Sequence, residues 1–457
     1  MKRKTVCTVM VLLVGIVGIG GSLQEWSSSG QFSYFTSVIV QNPNDVAAVV
    51  QVTYATPCDP TTPDYQAMVP AGGRSEINVS ETVSNPAIGS AVVTSDVPVV
   101  AVQNTLWSND GGGPQWSAND GGVRAPALTW YLAEGSTYGG YQTYITVMNP
   151  NTEPAQVAIN YTVPGWSEAG PRLMLLPVSQ QRVNVADTLT DWSSIGAIVT
   201  SDIPVVAQMS VYRNGGNSST STMGVNEPST MWYLAEGNTG EWSGFETWIT
   251  VMNPADTKAE VSVSYIADGQ THNGPNLSIA AMTQETFNAA DSFPDEPGFT
   301  AVIMSDNPVV AVQSMIWNEG RGYDSTMGVT APSKQWYFPQ AYASPQYSSW
   351  ITVQNVGSES ANVSVSYATD EGKHDGPGLV LDPFASDSIS LPDPLDAGGG
   401  TYSFSVTVTS DQPIVALQGT YWDTDFGSHR YLNLGNIQPG TDFYLPSASD
   451  PLSMMGP

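Results

Sequence analysis

Charge is scarce in this chain of 457 residues. Only 12% of residues are charged, and the shortage is mainly of bases, 13 Lys and Arg against 42 Asp and Glu. About 25% is usual for a globular domain. The formal net charge of −29 argues against a nucleic-acid partner, because no cationic surface is available to displace counterions from phosphates. It argues equally against electrostatic attachment to anionic lipid. Cysteine is nearly absent too. Cys7 lies in the leading apolar run and Cys58 stands alone, so a chain that has lost its leader has no internal disulfide. Histidine is limited to His272, His374 and His429, with no HExxH and no paired CxxC, which leaves a transition-metal site without a motif. GxSxG and P-loop signatures are missing as well. No segment beyond the leader shows a helical period.

The one long apolar run is at the start. Lys2, Arg3 and Lys4 precede the uncharged stretch Val6 to Gly21, which is shorter than the ~20 residues that span a bilayer. Gly18, Gly20, Gly21 and Ser22 supply small residues for cleavage. Residues 1–22 are therefore read as a signal peptide, with a retained anchor as the alternative. The chain is expected outside the cell or on its surface, with no membrane insertion beyond this segment.

What the sequence has in abundance is itself. WYLAEG occurs at Trp130–Gly135 and again at Trp232–Gly237. "TYITVMNPN" at Thr143 returns as "TWITVMNPA" at Thr247, "SWITVQNVG" at Ser349 and "TSVIVQNPN" at Thr36, aligning Asn42, Asn149, Asn253 and Asn355. A second element ends at Tyr54, Tyr161, Tyr265 and Tyr367. A third, SDxP, places Asp96, Asp202, Asp306 and Asp411. A fourth, "STMGV", has looser copies near Gly122 and Gly435. The period is about 104 residues, the mark of a repeat array. The expected division is 1–22 leader, then repeats at 23–128, 129–230, 231–334 and 335–440, then an extra leader-like strand and tail at 441–457.

Each copy reads as strands. In "AEVSVSY", Val261, Val263 and Tyr265 alternate with Glu260, Ser262 and Ser264, the period-two pattern of a half-buried strand. Asn-Pro and Ser-Asp-x-Pro stretches read as turns between strands. Seven or eight strands per copy predict an all-β protein of four tandem immunoglobulin-like β-sandwiches. A β-propeller is the rival, although its blades are usually 40–50 residues.

These elements resemble a repeat of secreted and surface bacterial proteins, notably actinobacterial ones, that belongs to a family of unknown function. The matching residues are Trp232–Gly237, Phe245–Trp248, Asn253–Pro254, Ser305–Ala311 and Gly328–Ser333. The resemblance covers nearly all of residues 31–446. It implies surface-exposed repeats and carries no catalytic or binding residue. The fourth copy departs most, with "WYFPQA" at Trp336 in place of WYLAEG.

Candidate chemistry is sparse. A column after each SDxP element holds Trp107, Trp317 and Trp422, with Arg213 in the second copy. Exposed Trp would stack on sugar faces or anchor a protein, whereas buried Trp would simply pack. His272 and His374 are read as loop residues beside Gly-Pro turns. The acidic, Gly-rich Ser108–Gly122 stretch suggests Ca²⁺ but lacks the spacing of a calcium loop, so no cofactor is assigned. Phe443–Leu445 is a leader strand without a repeat after it. It would either complete the preceding repeat or add to the first repeat of a neighbouring molecule, giving head-to-tail self-association.

The expected function is that of a non-enzymatic exported repeat protein: a spacer, an adhesin or an envelope-lattice component that contacts cell-surface glycan or protein. The alternatives are a carbohydrate- or cell-wall-binding protein using the Trp column, and a secreted hydrolase with a dispersed site.

Overall fold

The computed structural model describes residues 27–29, 32–55, 65–79, 90–108, 116–213, 218–240, 244–317, 322–343, 347–391, 402–424 and 427–446. The leader, Cys58 and residues 109–115 of the Gly-rich stretch lie outside them. Among the described residues no helix is long and apolar enough to cross a membrane.

A short strand β1 (Ser27–Ser29) is followed by β2 (Phe32–Gln41), β3 (Ala48–Ala55), β4 (Tyr65–Val69), β5 (Arg74–Asn78), β6 (Ser90–Ser108) and β7 (Trp116–Gly121). The second repeat contains β8 (Ala127–Gly135), β9 (Tyr141–Asn149), β10 (Ala155–Val163), β11 (Trp166–Leu175), β12 (Ser179–Asn184), β13 (Ile195–Arg213) and β14 (Ser218–Met223). The third contains β15 (Ser229–Gly237), β16 (Glu246–Asn253), β17 (Ala259–Ala267), β18 (Gln270–Ile279), β19 (Thr283–Asn288), β20 (Phe299–Trp317) and β21 (Gly322–Met327). The fourth contains β22 (Ser333–Ala343), β23 (Tyr347–Asn355), β24 (Ala361–Thr369), β25 (Gly372–Leu381), β26 (Ser386–Leu391), β27 (Tyr402–Thr424) and β28 (Gly427–Leu434). A last strand, β29 (Gly440–Leu445), closes the order.

The result is four antiparallel sheets, three of them half-barrels and the fourth a nearly closed barrel. In the fourth, β22 meets β23 at Ala343 and Ser348 while both also pair with β27, which completes a circuit. The pairing shows a continuous antiparallel sheet per repeat and does not by itself show an immunoglobulin-like sandwich. One long strand in each repeat runs through both halves. In β13 the first half pairs with β8 and β10 and the second half with β9 and β14.

The cause is the SDxP element. It was expected to reverse the chain, but it bends a continuous strand instead. Register is lost between Thr200 and Val205, around Pro204, which has no N–H to donate. Asp202 accepts the N–H of Gln156 at 2.7 Å and so ties the bend to the neighbouring strand. Asp96, Asp306 and Asp411 do the same for Val49, Glu260 and Asn362, each at 2.8 Å.

The other repeated residues also have local causes. Asn42, Asn149, Asn253 and Asn355 are fully buried at the following hairpin. Each Nδ2 donates to a carbonyl four residues on, at 2.7–2.8 Å, and each Oδ1 accepts an N–H two residues on. This Asx geometry substitutes side-chain hydrogen bonds for backbone ones inside the turn. Trp130, Trp232 and Trp336 fill the cores and donate Nε1–H to the carbonyls of Val205, Val309 and Ile414, just past each bend. His272 and His374 are in strands, not loops, opposite Tyr265 and Tyr367. The Gly-Pro beside them places Gly274 and Gly376 under those tyrosine rings, where a Cβ would lie 2.9 Å from ring carbons.

The leader strands belong to the repeats that follow them, since β8, β15 and β22 pair with β13, β20 and β27. Among the described residues no leader strand precedes repeat 1. Its place is taken by β29, with Phe443 opposite Val93 and Tyr444 opposite Val92. Phe443–Leu445 thus pairs within its own chain, and Phe443 and Leu445 are fully buried in the core of repeat 1. The repeats close into a ring.

Every junction of that ring is built alike. Tyr131, Tyr233, Tyr337 and Tyr444 occupy one leader position, and each packs against the core of the next repeat: third, fourth, first and second respectively. A glutamine is hydrogen-bonded across each seam. Gln180 accepts from Ser90, Gln284 donates to Ser194 at 2.7 Å, Gln354 accepts from Thr300 at 3.2 Å and Gln41 donates to Thr407 at 2.9 Å.

Candidate functional site

The last strand of each repeat faces the ring centre. There β7, β14, β21 and β28 lie side by side in cyclic order. They are edge strands, and bare strand edges invite unwanted pairing. Here neighbouring side chains cover them. Ser218 Oγ donates to the carbonyl of Tyr323 at 3.1 Å and accepts its N–H at 2.9 Å. Thr220 Oγ1 accepts the N–H of Ser325 at 3.2 Å. One repeat further on, Asp324 occupies the position of Thr220 and accepts the N–H of Leu432, the counterpart of Ser325. Its carboxylate also accepts from the Thr220 hydroxyl at 2.5 Å and from the Ser325 N–H at 2.8 Å, so one buried acid joins repeats 2, 3 and 4.

Where these four strands end they enclose a pocket of about 190 Å³. Three repeats contribute equivalent pairs, Thr222 with Met223, Thr326 with Met327 and Asn433 with Leu434, and repeat 1 contributes Gly121, the counterpart of Met223, together with Gly122. The fourfold pattern is broken at Gly121. A Cβ there would meet nothing within 4 Å, so the missing side chain leaves open space on the side of repeat 1. Gly122, by contrast, can carry no side chain, since a Cβ would sit 2.7 Å from Leu445. Asn433 is 6% exposed, and its Nδ2 has no hydrogen-bond partner. A buried donor without an acceptor costs free energy, and this one lines the pocket. A second hollow, of about 310 Å³, lies on the seam between repeats 4 and 1 and is bordered by Gln41, Tyr337, Lys373 and Asp375.

A buried polar node lies between repeats 2 and 3. Glu134, from the first WYLAEG, takes a left-handed φ of 78°, which is strained for a side chain of this size. Its carboxyl accepts from the hydroxyls of Thr250 and, at 3.2 Å, Tyr323. Burial raises its pKa, and the hydroxyl donors only partly offset this. Burial holds Tyr323 protonated well above the ordinary phenol range, so it remains a donor. The Tyr323 ring meets Tyr141 edge-on at 5.4 Å, and the Arg213 guanidinium lies 4.8 Å from the Tyr141 ring centre. Gln340 occupies the same leader position in the fourth repeat.

Of the proposed aromatic column, Trp317 and Arg213 have described side chains. Trp317 is 6% exposed, packs on Phe245 at 6.1 Å and belongs to the core reaching into repeat 4. A ring enclosed in this way offers no face to a sugar. Arg213 is engaged with Tyr141, and its Nε and Nη1 are buried without hydrogen-bond partners. Trp107 and Trp422 hold their strand positions opposite Tyr34 and Tyr347, and their side chains lie outside the described residues. Among the described residues no group of three or more His, Cys, Asp or Glu could hold a metal ion. The axial residues were hidden in the sequence because Gly121, Met327 and Leu434 have no shared motif. The signal that could have found them was the fourth element, whose loose copies align these positions.

A family of unknown function, DUF5719, matches residues 205–428, just under half of the chain. No curated protein is significantly similar in sequence. Among solved structures, Thermotoga maritima 1070 is 17% identical, with a TM-score of 0.21, over 23% of this chain and 96% of that one. The Anabaena sensory rhodopsin transducer is 22% identical, with a TM-score of 0.17, over 19% of this chain and 96% of that one. The Streptomyces avermitilis α-L-rhamnosidase is 10% identical, with a TM-score of 0.15, over 86% of this chain and 54% of that one. At these scores no activity of those proteins transfers to this chain.

Proposed function

We propose that this is a non-enzymatic, exported surface protein whose four repeats form a closed head for adhesion or for building an envelope layer. The observation that carries the reading is ring closure: β2 and β29 both pair with β6, so the chain enters and leaves through repeat 1. An attachment at either end of the chain would hold repeat 1 and present the other three. A linear spacer would instead place its two ends at opposite extremes. The low charge and the net charge of −29 suit a soluble, polar exterior.

The carbohydrate-binding reading is kept, with its site moved. Trp317 is enclosed, and the axial pocket is the hollow to which all four repeats contribute. Mixing residues 23–457 with insoluble polysaccharides and cell envelopes, with and without Ca²⁺, tests adhesion. Specific depletion from the supernatant is expected. Full recovery from every preparation would overturn the adhesive reading.

A further inference from the structure

We propose that the axial pocket binds one N-acetylated sugar residue at the tip of an uncharged glycan. This rests on the surface-adhesion reading and names a ligand class for it. The first argument is size. At about 190 Å³ the pocket falls below the ~300 Å³ floor of drug-sized sites. A single water needs only ~10–15 Å³ of such space, so the pocket is far larger than a hydration site. It holds one ring or its substituent and leaves the rest of a chain outside.

The second argument is the lining. It alternates hydrogen-bonding and apolar positions: Thr326 with Met327, and Asn433 with Leu434. An acetamido group has the same duality, a methyl beside an amide. Its carbonyl supplies the acceptor that the buried Asn433 Nδ2 lacks. Its N–H can donate to Thr326 Oγ1, whose recorded bond is a long one, 3.4 Å, to the carbonyl of its neighbour Met327. Its methyl suits the Met and Leu side chains.

The third argument is charge. None of the described residues lining the pocket is ionisable, so among them neither an amine nor a carboxylate finds a counter-charge. The fourth is access. Three repeats place Met223, Met327 or Leu434 at the position where repeat 1 has Gly121, and a Cβ at Gly121 would meet nothing within 4 Å.

The test titrates residues 23–457 with N-acetylglucosamine, with glucose as control, by calorimetry and by saturation-transfer NMR. A dissociation constant on the order of 1 mM is expected, the range open to a single ring. Glucose should bind at least tenfold more weakly, and the acetyl methyl should show the strongest saturation. Gly121→Leu places its Cβ in open space and should abolish binding at an unchanged melting temperature. Asn433→Leu removes the donor and should weaken binding at least tenfold. If Asn433→Leu does not fold, Gly121→Leu alone decides. Equal affinity for glucose, unaltered binding by Gly121→Leu, or no binding by the parent protein would each overturn the proposal. Depletion onto envelopes that Gly121→Leu leaves intact would overturn the pocket while the adhesive reading stands.

Discussion

Tyr444 lies opposite Val92 across an antiparallel strand pair, so the last strand of the chain completes the first repeat. Beside it Phe443 stands where Trp130, Trp232 and Trp336 stand in the other repeats, fully buried. Truncation at residue 439 should therefore uncover the edge of β6 and open the ring. The expected result is loss of the monomer in size-exclusion chromatography with light scattering, because a bare edge recruits other chains. The milder Phe443→Ala should cost about 3–5 kcal/mol in the unfolding of repeat 1. A truncated protein that stays monomeric and equally stable would refute closure.

A closed ring and a string of four units differ in size in solution. The radius of gyration of residues 23–457 should be near the ~22 Å of one compact body of this length. Small-angle scattering measures it directly, and a value well above that would mean that the seam at Gln41 and Thr407 does not hold.

Glu134 makes the seam between repeats 2 and 3 sensitive to pH. Its folded pKa is raised by burial, so the folded state binds more protons than the unfolded state between the ordinary carboxylate value and the raised one. Its contribution is most favourable below the ordinary value and declines as pH rises through the raised one. Glu134→Gln should stabilise the protein at pH 8 by about 1 kcal/mol, with little gain near pH 4. Thermal melts across that range check both the sign and the window.

Asp324 offers a test of the axial contacts. Asp324→Ala leaves the buried N–H of Leu432 without its acceptor, while the Ser325 N–H keeps Thr220 Oγ1, at a cost of about 1–3 kcal/mol. Asp324→Thr copies the second repeat, where Thr220 does this work, and should recover part of the loss. Chemical denaturation of the two variants separates a specific contact from mere burial.

Trp317→Ala should lower stability by about 3–5 kcal/mol, because the ring fills the space between repeats 3 and 4. Gly322 lies against that ring so closely that a Cβ would overlap it. A variant that keeps its melting temperature and loses only glycan binding would restore the Trp column as a site.

The local features were legible in the sequence. Period-two alternation in "AEVSVSY" marks β17, and the Asn of each NPx turn explains itself through hydrogen bonds that reach no further than the hairpin. The repeat period also fixed how many units there are, since each copy carries its own core. What the sequence could not decide depends on groups brought together from distant repeats. The SDxP element reads equally as a turn or a bend, and pairing on both sides of β13 selects the bend. Trp317 reads equally as exposed or enclosed, and only the neighbouring repeat covers it. The fate of Phe443–Leu445, the orphan donor of Asn433 and the space beside Gly121 all follow from closure. Closure is a property of four junctions acting together, and no single stretch of sequence contains it.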